Sequence, residues 1–255
     1  KHFENMLIFE VKKSNLLLYY RKQRTGGDTV KDRHEGLAEM KKDGVTYCNM
    51  FWLFMFGNVL GVLLEGTWCR LIFGHWETHV VTIWGPFCLI YGIGADMFYI
   101  SGEKIRSKGF KGVVARFCVI AIVATVFELA CGLLLEYGMG MKAWDYSESF
   151  MNYKGLICLK MTVLWGLAGV IFAYMVVPKL KKVFARMQGT GWKVACAAVS
   201  IFMIINLSFT LVCMVRWKDR RAGIAATTQI GQYVDSKYDD AMMAKRFCEW
   251  HVIKK

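Results

Sequence analysis

Apolar residues in this chain come in long blocks rather than in the stripes of an amphipathic fold. The first block, YCNMFWLFMFGNVLGVLLEGTWCRLIF, runs from Tyr47 to Phe73. A hydrocarbon core ~30 Å thick needs about 20 mainly apolar residues, so this block is long enough to cross one. Four more follow, at about 78–101, 113–137, 154–178 and 192–215. The pattern predicts an all-α, polytopic transmembrane helix bundle of about five spans over residues 47–215. The second span contains Trp84-Gly85-Pro86. Proline within a helix removes a hydrogen bond and clashes with the carbonyl four residues back, so that span is expected to be kinked or broken near Gly85.

The flanks differ from the blocks. In residues 1–46 the apolar runs are too short to span and are broken by Lys12, Lys13, Arg21, Lys22 and Arg24. They read as a cytoplasmic N-terminal extension lying on the membrane surface. Residues 216–255 form a C-terminal tail of mixed charge and helical character. The connections EKIRSKGFKG and KLKKVFARMQGTGWK are short and basic. The positive-inside rule puts them in the cytoplasm, and GHWET and YGMGMKAWDYSESFMNY outside. Five spans then leave the tail outside, although it opens with RWKDRR.

Composition agrees with a membrane protein. The chain is 55% hydrophobic, with a mean hydropathy of +0.32. Its net charge of +13 would suggest nucleic acid in a soluble protein. Here the basic residues flank apolar blocks, and anionic lipid headgroups account for them. No nucleic-acid recognition motif accompanies the charge. Membrane lipid is the expected partner, and nucleic acid is not. The nine cysteines include no CxxC pair and read as small packing residues.

The polar groups inside the blocks carry the candidate chemistry, because a charge at the bilayer centre costs ~3 kcal/mol on insertion scales. Gly57, Gly61, Glu65 and Cys69 recur every four residues. That is a GxxxG packing face continued into a carboxylate. Counted from the outer ends of the spans at ~1.5 Å per residue, Glu65, Gly85–Pro86, Glu128, Lys160 and Asn206 fall at a similar depth. They predict a polar intramembrane cluster in the outer half of the bundle, with Tyr91 beside it and Lys160 paired to a carboxylate. The bland alternative is a buried ion pair that fixes helix register. In the outer loops, Trp144, Asp145, Tyr146 and Asn152 are further candidates. His75-Trp76-Glu77-Thr78-His79 is not HExxH and reads as a solvated loop, so no metal is expected. No phosphate loop, GxSxG or dinucleotide fingerprint is present. The chain is not its own ATPase, no catalytic residue is identifiable, and no cofactor is called for.

The combination of GPFCLIYGIG with Glu65, Glu128, Gly132, Glu136, WDYS, Asn152, KGLICLK and Trp165-Gly166 resembles the bacterial putative ABC-transporter type IV family. RWKDRRAG followed by Asp235 and Asp240 is similar to that family's C-terminal pattern. The resemblance covers about residues 48–240. Two departures stand out. His79-Val80-Val81 replaces an Asn-Arg-Gly triplet before the GP motif, and Leu89 replaces a proline before IYG. The resemblance implies a permease-like protein of the bacterial cytoplasmic membrane, with a separate ATPase or other membrane subunit as partner, or a homo-oligomer. Two alternatives stay open. One is a membrane-embedded enzyme acting on lipid or envelope precursors. The other is a non-catalytic regulatory or assembly subunit.

Overall fold

The computed structural model describes residues 46–253, apart from residues 78, 106 and 188. The extension expected over residues 1–46 lies, but for its last residue, outside them. The described chain is a helical membrane bundle. Helix α1 covers Tyr47–Phe73, α2 Leu89–Lys104 and α3 Gly109–Met139. Helix α4 covers Leu159–Ile171 and passes through a π-helical turn, Phe172–Val176, into α5, Val177–Arg186. Pro178 cannot donate to the helical ladder, and a π turn just before it absorbs the misfit. Helix α6 is Thr190–Arg221, and the tail adds α7, Gln229–Lys237, and α8, Asp240–Arg246.

Four helical stretches are long and apolar enough to cross a membrane: Tyr47–Phe73, Gly109–Met139, Leu159–Arg186 and Thr190–Arg221. Large apolar side chains such as Leu64, Leu71, Leu134, Ile171 and Ile204 stay exposed on them, as expected of a surface solvated by lipid. The second expected span is different. Its helix has only 16 residues, and the backbone before it, from His79 to Cys88, is extended or bent. The anticipated kink is a full interruption. The chain nevertheless runs from one face of the bundle to the other there. The segment after α1 and the end of α3 both contact the tail, through His79 with Glu249 and Met141 with Val252. They therefore share one face of the bundle. Helix α3 starts on the opposite face, so residues 79–104 must traverse the bundle to reach it.

The tail is a small folded cap on that shared face. Strand β1, Met141–Lys142, pairs antiparallel with β2, His251–Val252. Met141, Cys213, Met214, Trp217, Val234, Met243 and Phe247 form its core with Ile83. Thr228 caps α7 and Asp239 caps α8, each accepting a backbone N–H from the first turn.

The basic run at the end of α6 is fully engaged. Arg216 grips Asp235 through two nitrogens, at 3.2 and 2.7 Å, and also reaches Asp219 at 3.2 Å. Arg220 binds Asp240 at 2.7 Å and also pairs with Asp235. Lys218 and Arg221 donate to the carbonyls of Gly138 and Met139 at the end of α3. Arg216 and Arg220 are thus neutralised by carboxylates, while Lys218 and Arg221 are held by the carbonyls that end α3. That explains how RWKDRR can sit on the face opposite the two basic connections.

Candidate functional site

The interrupted span is held from two sides. On α6, Asn206 is fully buried and faces Trp84. Its Nδ2 donates to the Trp84 carbonyl at 2.8 Å, and its Oδ1 accepts the Trp84 N–H at 3.3 Å. One turn on, Thr210 Oγ1 accepts the Ile83 N–H at 2.9 Å. The Trp84 ring stacks on Phe209, with centroids 4.9 Å apart. From the cap, Arg246 donates to the Thr82 carbonyl at 3.0 and 2.8 Å and also to the Gly85 carbonyl. Non-helical backbone is tolerated at membrane depth only where protein or water satisfies it. Asn206 lies about 22 Å from the Arg221 end of α6 at the ~1.5 Å rise, so it meets the segment well inside the bundle.

Helix α1 supplies the next wall. A Cβ on Gly61 would stand 2.1 Å from the Tyr91 ring, and one on Gly57 would stand 2.8 Å from the Tyr91 carbonyl. The glycines thus let α2 lie directly against α1. Further along the same face come Glu65 and Cys69. Glu65 Oε1 is 3.5 Å from His79 Nε2. The same nitrogen is 3.4 Å from Glu77 Oε2, which accepts from Cys69 Sγ at 3.5 Å. His75 Nε2 holds the other oxygen of Glu77 at 2.9 Å. That contact draws the exposed His75 imidazole's pKa upward. His79 takes a left-handed backbone, φ 46°, and Glu249 Oε1 accepts its N–H at 3.0 Å.

A second polar point lies on α3. Glu128 is buried. Its two oxygens accept from Tyr146 Oη at 3.0 Å and Trp165 Nε1 at 3.2 Å. Burial, and then the Glu128 carboxylate, push the Tyr146 phenol well above its ordinary range, so Tyr146 stays a donor. The rest of that loop positions it. Trp144 Nε1 donates to the Leu156 carbonyl at 2.9 Å. Asn152 donates to the carbonyls of Ser147 and Ser149 at 2.8 and 3.0 Å. Asp145 accepts from Ser147 N at 3.0 Å and from its hydroxyl. The Ser147 contact, first of all, holds the Asp145 carboxyl below the usual carboxylate range. Gly155 closes this turn with φ 70°, where a Cβ would meet Asp145 Oδ1.

Family comparison places these residues in context. The sequence model of the family described as Putative ABC-transporter type IV matches residues 52–211, well over half of the chain. The chain belongs to this family. No curated protein and no solved structure matches it. The match takes in α1, the interrupted span, α3, the WDYS loop and Asn206. Family membership and the four apolar helices make this a membrane protein related to transport.

The expected site residues divide among three places in this type IV member. Asn206 meets the interrupted segment at Trp84, beside Gly85 and Pro86. Glu65 meets His79. Glu128 meets Tyr146 and Trp165. Lys160 joins none of them: it is exposed and makes no ion pair with either carboxylate. The reason is local. Residues 153–158 form a turn with a Tyr153–Ile157 bridge, so α4 starts at Leu159 and Lys160 lies in its first turn. Counting depth from residue 154 places it too far inside. His79, Thr210, Arg246 and Glu249 complete the site. Of these, His79 was visible in the His75–His79 loop, which reads as solvated although its side chain is only 20% exposed, and Thr210 is four residues beyond Asn206 on the same helical face.

Proposed function

We propose that this chain is the permease-like membrane component of a transport system in a bacterial cytoplasmic membrane. The connection after α1, the loop at 140–158 and the C-terminal cap face outward, and the two basic connections face the cytoplasm. The observation that carries the reading is the interrupted second span. Broken spans expose backbone groups that can line a substrate path, and an ionisable side chain at membrane depth points to function by default. Glu65 meets His79 at the start of this break, Glu128 forms a second polar point on α3, and Asn206, Thr210 and Arg246 hold the non-helical backbone in place. Energy comes from a separate ATPase that docks on the cytoplasmic basic connections.

The enzyme reading is weaker. Of its candidate acids and bases, Glu65, Glu128 and Asp145, both oxygens of Glu128 already accept hydrogen bonds and Asp145 is engaged by Ser147, which leaves Glu65 alone. The test is mild-detergent purification of the tagged chain from its native membrane. The transport reading predicts a co-purifying ATPase whose nucleotide hydrolysis falls when Glu65 and Glu128 are both changed to Gln. A chain that purifies without any ATPase, carrying turned-over lipid instead, contradicts it.

A further inference from the structure

We infer that Cys69, Glu77 and His79 bind a divalent transition-metal ion of the zinc class, and that this ion ties α1 to the interrupted span. Sγ of Cys69, a carboxylate oxygen of Glu77 and a ring nitrogen of His79 all lie within 4.8 Å of one another. The individual separations fit a coordination sphere. Zinc takes thiolate at ~2.3 Å and imidazole or carboxylate at ~2.0–2.1 Å in a tetrahedron. The edges of such a tetrahedron are about 3.5 Å from sulfur to oxygen and about 3.3 Å from nitrogen to oxygen. The site has 3.5 Å from Cys69 Sγ to Glu77 Oε2 and 3.4 Å from Glu77 Oε2 to His79 Nε2.

The surroundings match what a metal site requires. Glu65 Oε1 stands 3.5 Å from His79 Nε2, beside the three donors and one turn before Cys69 on α1, which leaves the fourth position to water. The other Glu65 oxygen, Oε2, is a buried atom without a hydrogen-bond partner. His75 grips the outer oxygen of Glu77 at 2.9 Å, the kind of supporting contact that orients a metal-bound carboxylate. Glu249 fixes the backbone of His79. Cys69 is 4% exposed. The donor set mixes thiol, imidazole and carboxylate, which suits zinc and its neighbours and not calcium or magnesium. Binding releases the Cys69 thiol proton to solvent and leaves a thiolate on the ion.

The ion's binding is read without any transport assay, so it stands or falls apart from the transport reading. The full-length protein in detergent is stripped with a chelator and titrated with Co²⁺, then with Zn²⁺. One equivalent of Co²⁺ is expected to give a thiolate-to-metal charge-transfer band that Zn²⁺ abolishes. Cys69→Ala and His79→Ala should each lose the band, while Cys118→Ala keeps it. His75→Ala should bind about 10–100-fold more weakly, as loss of a supporting contact does. Should the ligand variants fail to fold, the unmodified protein still decides. Zn²⁺ should protect Cys69, and not Cys131, from alkylation as mapped by peptide mass spectrometry. Absence of the band, or a band that survives both Cys69→Ala and His79→Ala, overturns the site. So does a Cys69 thiol whose reactivity Zn²⁺ leaves unchanged.

Discussion

Asn206, at mid-length of α6, holds both the N–H and the C=O of Trp84 in the gap of the second span. One side-chain amide thereby does for Trp84 what a neighbouring helical turn would otherwise do. A buried donor or acceptor left unpaired costs about 1–3 kcal/mol. Asn206→Leu should therefore destabilise the protein by at least ~2 kcal/mol, since two backbone groups lose their partner together. Asn206→Gln, which keeps the amide donor and acceptor, should cost less. Chemical unfolding in detergent measures both. Equal stability of Asn206→Leu and the parent would mean that water satisfies Trp84 and that the clamp is not needed.

The contact of α1 with α2 depends on backbone approach. Gly61→Leu should lower the melting temperature, because even a first carbon at this position overlaps the Tyr91 ring. Adding Tyr91→Ala should recover part of the loss by making room. If Tyr91→Ala deepens the loss additively, the two residues are not in contact.

Lys160→Met should change stability by no more than ~0.5 kcal/mol, the range of ordinary surface changes. Lys160 is exposed in the first turn of α4, and Glu128 is satisfied by Tyr146 and Trp165. A loss of several kcal/mol, relieved by Glu128→Gln, would instead restore an ion pair between them.

The cap should loosen in acid. Arg216, first of all, holds the Asp235 carboxyl below its ordinary value. A carboxylate depressed in this way contributes stability above its unfolded value, ~3.9 for Asp. That contribution is lost as pH falls through the lower native value. Amide exchange in residues 229–246 should therefore accelerate as pH drops below about 4, after correction for intrinsic rates. In Asp235→Asn, protection should already be low at neutral pH and lose the acid step.

The long apolar runs made the bundle legible, because length and hydropathy alone decide whether a helix can cross. The break was legible at one residue, Pro86, because proline cannot donate to a helical ladder. Its extent was not. That the backbone stays non-helical from His79 to Cys88 depends on Asn206, Thr210 and Arg246, which lie 120 residues and more away. Lys160 was misplaced because the turn at 153–158, which delays the start of α4, leaves no mark in the hydropathy of its block. The basic run at Arg216–Arg221 looked like a cytoplasmic signal until its partners Asp235 and Asp240 were brought beside it. Glu65 and Cys69 were visible as one face of α1. Their meeting with Glu77 and His79 is a loop conformation that spacing does not encode.

The proposed five crossings, with the cap opposite the basic connections, are the frame on which the transport reading rests. Single cysteines at Ser107, between α2 and α3, and at Ser236, in the cap, test it directly. Both positions are exposed. In a background without the native cysteines, intact cells are treated with an impermeant thiol reagent. The account predicts that Ser236→Cys is labelled from outside and that Ser107→Cys reacts only after the membrane is opened. Labelling of both from the same side would contradict the crossing of residues 79–104, and with it the interrupted span.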